Sequence, residues 1–504
     1  MTVAFSIPSS GDGGSTRVHH AQAAAGNAAI TKEAVGVLRD SLTGSLDVKR
    51  VLLKAAAGAG KSFALQELVS NAVDHPSCQR VAVVAFTNKQ IHPLAIALGN
   101  RLGKRKVCLF VSAKRWDEIP DEAHRCVEVA TSTTSIPASC EVIVSTSHKL
   151  GAINELTRQI STFGPAHCGS SAFDVLFVDE AWQLPHYLFD KVAKAAPLTV
   201  GVGDVGQLPP LEVGDNPWRG DPGHNPYRAW PTDYVDDQET WARELPSVWR
   251  PAAGQLDLWR AFYPEWDTLN CVAAPGDRVL HADGLTGDAL SIWTQVGTGV
   301  PTLLEVNGLP VAEAADIDLP LVGVIERLLE ELLSSKFSLE RREYDSAGTP
   351  TRRVTKARPG KSEGDPLVVV LATRNQAVDD AEDMVDRLRQ KFGLSETELV
   401  ASTVDSWQGQ TNGITVAIHP LNGATDLNEF NSAFGRLAVT CTRATHGLLM
   451  LARPGLMQLL DEAPARPGTP FGEPGNRNLP RQTHQRILST FAVGRITVRH
   501  NALR

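Results

Sequence analysis

The stretch KAAAGAGKSF, Lys54 to Phe63, ends in glycine, lysine and serine, residue types that together can hold a phosphate chain. In the pattern G-x-x-x-x-G-K-S/T, backbone N–H groups of a turn and of the following helix face phosphate oxygens. Lys61 then reaches the β and γ oxygens, and the Ser62 hydroxyl ligates Mg2+. Ala55 stands where the pattern begins with glycine, a position a small residue satisfies. Gly58, Ala59 and Gly60 form the turn, where backbone must approach phosphate closely. A second chemical pair, Asp179-Glu180, closes the apolar run FDVLFVDEA. Its chemistry would be Mg2+ ligation by Asp179 and orientation of an attacking water by Glu180. Each piece has a plainer reading, an ordinary glycine-rich turn or an acidic helix cap, and it is their combination that points to a nucleotide.

Those residues need strands and helices to position them. From about Val48 the chain repeats a valine-rich run, a turn and an amphipathic segment, as in VKRVLLKAA, RVAVVAFT, EVIVSTS, FDVLFVDEA and PLTVGVGD. A later set reads DPLVVVLATR, TELVAST, GITVAIHP and GLLMLAR. Such alternation specifies parallel sheets covered by helices, and we expect two α/β domains. The bulk numbers agree with a soluble globular chain: 504 residues, 42% hydrophobic and 21% charged. No apolar run is long enough to span a membrane, and the start lacks an export signal, so we expect a cytoplasmic protein. Seven cysteines lie singly, without zinc-type spacing, and the net charge of −8 leaves nucleic-acid binding undecided.

The stretch GVGDVGQLPP, Gly201 to Pro210, is more specific than a generic phosphate loop. It resembles the G-D-x-x-Q-L-P-P signature of superfamily 1 helicases, against the bland alternative of a turn with two prolines. AFTNKQIHPLAIAL resembles motif Ia of that family, VIVSTSHKL motif Ib, STVDSWQGQT motif V and RLAVTCTRATHGLLML motif VI. ELPSVWR resembles the motif that ends in a phosphate-reaching arginine. The forms are most similar to the 5′-to-3′ branch that includes the nonsense-decay and Okazaki-processing helicases, although Trp407 replaces the usual Phe and Gln410 stands where a glutamate is common.

The resemblance implies two tandem RecA-like P-loop domains with accessory insertions. The expected boundaries are a flexible leader over 1–30, a first domain over 31–212 with an insertion near 100–165, and a Pro/Trp-rich connector over 213–245. A second domain follows over 246–455 with a charged insertion near 338–365, then a tail over 456–504. It implies ATP and Mg2+ as cofactors, Gln207 as sensor of the γ-phosphate, and Arg250 and Arg443 as arginines that reach it from the second domain. ATP would then be hydrolysed in the interdomain cleft, driving translocation along single-stranded DNA or RNA. Candidate nucleic-acid contacts are Thr87, Asn88, Ser145, Thr146, Thr403 and Ser406. Connector tryptophans offer either stacking faces or packing anchors, and the basic insertion residues Arg352, Arg353, Lys356, Arg358 and Lys361 offer either phosphate contacts or a solvated loop. Protein partners in a replication, repair or defence complex are a further expectation, with no zinc and no membrane. The alternative function is a nucleotide-switched nucleic-acid-binding component that does not unwind. A P-loop kinase or GTPase would leave Gln207, Arg250 and Arg443 unused.

Overall fold

The computed structural model describes residues 3–8, 17–167, 169–206, 210, 225–266, 268–314, 317–362, 364–373, 375–428, 430–464, 469–470 and 477–498. The valine-rich runs form strands because both faces of each are covered. Val81–Ala85, Val142–Thr146 and Val175–Asp179 are buried at every position, as strands interior to a parallel sheet must be.

The first sheet has eight strands, in the spatial order Glu128–Ala130, Val107–Phe110, Val142–Thr146, Val81–Ala85, Val175–Asp179, Leu198–Gly203, Arg50–Ala55, Thr240–Leu245. Every neighbouring pair is parallel. The second sheet has seven, in the order Phe5–Ser6, Ala492–Thr497, Thr302–Asn307, Ala444–Ala452, Asn412–Ile418, Val368–Ala372, Leu399–Thr403. It is parallel throughout except at Phe5–Ser6. Two α/β units of RecA-like plan therefore make up the chain. One hydrophobic cluster fills the first unit and runs into the second, and another fills the far side of the second.

Four segments differ from the sequence reading. The interval read as an accessory insertion adds Val107–Phe110 and Glu128–Ala130 to the first sheet beyond the expected run at Val142–Thr146, since its short apolar runs find neighbours toward the sheet edge. The last six residues of the supposed connector, Thr240–Leu245, are the opposite edge strand of that sheet. The leader runs into a helix, His20–Leu42, which buries Ala23, Ala24, Asn27, Thr31, Ala34 and Leu38 along one face. The tail holds the helix Pro480–Leu488 and the strand Ala492–Thr497, which lies beside Thr302–Asn307.

The charged insertion is a β-hairpin, Lys336–Tyr344 with Pro350–Ala357, extended by Arg278–Asp283 into a small antiparallel sheet. Trp230 of the connector stacks on Phe189 at 4.0 Å, and Trp259 just beyond it is fully buried, so both serve packing. Among the described residues, no helix is long and apolar enough to cross a membrane.

Candidate nucleotide and nucleic-acid site

The loop Ala56–Gly60 leaves the C-terminal end of Arg50–Ala55 and enters the helix Lys61–Val73. Gly58 and Gly60 take left-handed backbone with φ of 74° and 90°, which glycine adopts without strain. Gly58 is also constrained by space, since a Cβ there would stand 2.4 Å from the Arg250 Cβ. Donors from elsewhere tie the loop back. Trp259 Nε1 donates to the Ala57 carbonyl at 2.9 Å, Trp249 N to Gly58 at 2.8 Å and Asn27 Nδ2 to Ala59 at 2.7 Å. Three successive carbonyl oxygens, which would repel a phosphate, are thus already occupied.

Lys61 pairs with Glu180 and stands 3.7 Å from Asp179. Burial disfavours the lysine charge, yet the two carboxylates more than offset it and hold its pKa above the ordinary value. Burial also raises the Asp179 carboxyl, against the pull of Lys61. Glu180 sits at φ 50°, an uncommon conformation for a side chain of its size, at the turn where the strand Val175–Asp179 ends. Asp204, at the end of the next strand, is buried and accepts from Gly206 N and Tyr263 OH at 2.8 Å each. Burial pushes its pKa up to about 6. Tyr263 OH also accepts from Ala57 N at 3.1 Å, so one phenol joins the loop to Asp204.

Arg250 and Arg443 converge on Thr442. The first donates to its carbonyl at 3.0 Å and the second to its hydroxyl at 2.8 Å. Arg443 is buried, with its Nε unpartnered, and neither arginine has a carboxylate at salt-bridge distance among the described residues. Burial and the neighbouring Arg443 push the Arg250 pKa down to about 9. Two adjacent guanidiniums that feel Asp204 only at a distance, with no described carboxylate in direct contact, suit an anionic ligand. A nucleoside triphosphate with Mg2+ fits these side chains: glycine-rich turn, lysine, serine, two acids and two arginines meet at one place.

Of the other sequence candidates, Ser62 lies exposed in the first helical turn. Gln207 lies outside the described residues. Thr87 is exposed at the start of the helix Asn88–Leu102, whose first residue Asn88 is half-buried. Thr403 ends the strand Leu399–Thr403 and accepts from the N–H of exposed Ser406 at 3.0 Å. Ser145 and Thr146, also candidates for nucleic-acid contact, are buried. The Ser145 hydroxyl donates to the Phe110 carbonyl at 2.8 Å, and Thr146 Oγ1 accepts from Lys149 N at 3.2 Å.

Asn27, Tyr263 and the pair Gln90 and Gln183 escaped the sequence reading, because no local pattern marks a partner so far along the chain. The half-buried indole of Trp249 passes 3.8 Å from where a Cβ of Gly60 would stand, beside the phosphate loop.

Residues 39–212 match a family model described as an AAA domain. Among solved structures, the chain is similar to the PRRSV helicase at 16% identity and a TM-score of 0.37, covering 85% of this chain and 58% of that one. It is also similar to Arterivirus nonstructural protein 10, a helicase, at 12% identity and a TM-score of 0.37, covering 84% and 62%. A structure of that helicase with DNA matches at 13% identity and a TM-score of 0.37, covering 84% and 63%. The chain thus corresponds to about three-fifths of the length of these structures. No curated protein matches.

Proposed function

We propose that this chain is a superfamily 1 type motor that hydrolyses ATP between its two α/β units and moves along single-stranded DNA or RNA. The observation that carries the reading is the arginine pair: Arg250 and Arg443 lie together without a carboxylate partner among the described residues, and the Arg250 Cβ abuts the glycine turn that begins the phosphate loop. The AAA domain match over residues 39–212 supports nucleotide use.

Lys61 and the N–H groups of the loop would bind the β and γ phosphates, while Ser62 and Asp179 would hold Mg2+. The metal neutralises phosphate charge when bound. Phosphate oxygens would compete for Lys61 and so release Glu180 from its ion pair, leaving that carboxylate to orient water. Arg250 and Arg443 would stabilise charge as it develops, a role worth ~10³–10⁵ in rate for arginine fingers of other NTPases. A nucleotide engaged by Lys61 and by both arginines would draw the two units together. Thr87, Asn88, Thr403 and Ser406 are the proposed contacts to the strand.

The test is ATP hydrolysis with and without single-stranded DNA or RNA oligomers. We expect stimulation by one or both, and a loss of about a hundredfold or more in Lys61→Ala. Hydrolysis indifferent to every oligomer would remove the motor reading. Duplexes carrying a 5′ or a 3′ tail then report unwinding and its direction, for which the resemblance proposes 5′ to 3′.

A further inference from the structure

Glu180 and Thr87 follow neighbouring parallel strands, Val175–Asp179 and Val81–Ala85. Two glutamines join them. Gln183 Nε2 donates to Glu180 Oε2 at 3.3 Å, and Gln90 Nε2 donates to Gln183 Oε1 at 3.2 Å. Gln90 Oε1 in turn accepts from Thr87 N at 2.9 Å and from Thr87 Oγ1 at 3.0 Å.

The direction of this chain of bonds is fixed by its ends. An ionised carboxylate only accepts, so Gln183 must present its amide NH2 to Glu180 and its oxygen to Gln90. A backbone N–H only donates, so Gln90 must present its oxygen to Thr87 and its NH2 to Gln183. Neither amide can turn over alone without setting oxygen against oxygen or NH2 against N–H. Gln183 is buried, so an amide so mismatched would lack water as a substitute.

We propose that Gln90 and Gln183 are positioning residues that couple the hydrolytic carboxylate Glu180 to the strand-binding turn at Thr87. The proposal rests on the motor reading above. A strand phosphate that takes the Thr87 donors frees the Gln90 oxygen, and Gln90, Gln183 and the carboxylate reorient together. In the other direction, phosphates that draw Lys61 away from Glu180 change the acceptor that orients Gln183, and so the hold on Thr87. The two sites then bias one two-state element, as reciprocal coupling requires.

Gln90→Glu separates this role from simple helix capping. The glutamate keeps the acceptor for Thr87, a favoured capping arrangement, but has no NH2 for Gln183. We expect the ratio of nucleotide hydrolysis with single strands to hydrolysis without them to fall about five- to tenfold, with the helix cap at Thr87 kept. Stimulation equal to wild type would overturn the relay. If wild type itself is not stimulated, the motor reading fails and hydrogen exchange of the 86–91 segment still decides. A non-hydrolysable ATP analogue with Mg2+ should change that exchange in wild type and not in Gln183→Met. An equal response in both, or none in wild type, would also overturn the relay.

Discussion

Asp204 is a carboxylate held by a phenol and a backbone N–H yet buried deeply enough for its pKa to rise to about 6. A carboxyl raised in the folded state favours folding most at pH below its ordinary value and loses that contribution as pH climbs through about 6. The displacement is worth on the order of 3 kcal/mol. Denaturant unfolding of Asp204→Asn should therefore show the variant gaining on wild type by about 2–3 kcal/mol between pH 4 and pH 7.5. A difference independent of pH would show that the proton is not bound there. The meeting of Lys61 with Asp179 and Glu180 was legible in the sequence, because residues that follow strands of one parallel sheet gather at its C-terminal edge. Tyr263, which completes the Asp204 site, was not, since only folding brings it to Ala57.

At the scale of elements, the parallel strands were readable because strands covered on both faces must be apolar throughout. Edge strands were not: Thr240–Leu245 carries Arg243 and Glu244 and reads as irregular, although it closes the first sheet beside Arg50–Ala55. The helix His20–Leu42 was half hidden in the leader because its buried face mixes three alanines with Asn27 and Thr31, so its apolar signal is weak. That helix brings Asn27 between two loops, bonding to Ala59 O and to both the N–H and carbonyl of Ser247. Asn27→Ala leaves buried backbone groups unpaired and should cost about 1–3 kcal/mol in urea unfolding. It should also weaken nucleotide binding, read by fluorescent nucleotide titration, since the loop loses one of its ties. Unaltered values for both would mean that the loop holds itself.

For the whole molecule, the arrangement of two parallel sheets was evident from the repeated strand-turn-helix pattern, while the joining of chain segments was not. Phe5–Ser6 and Ala492–Thr497 pair at one edge of the second sheet, a contact between the far ends of the sequence that no local pattern encodes. The functional weight of Arg250 likewise depends on global placement. Arg250→Ala should lower the turnover number by about a thousandfold while changing nucleotide affinity far less, if its charge acts mainly on the transition state. Equal losses in affinity and turnover would mark it as a ground-state ligand instead. The helix His20–Leu42 adds a constraint of another kind. His20 is fastened to Asp277 at 2.7 Å and to the Val272 carbonyl at 2.8 Å, while Asn27, about two turns on, is fastened to the phosphate loop. The helix thus acts as a strut of fixed length between the 272–277 segment and the phosphate loop, so a displacement at either end must be carried to the other.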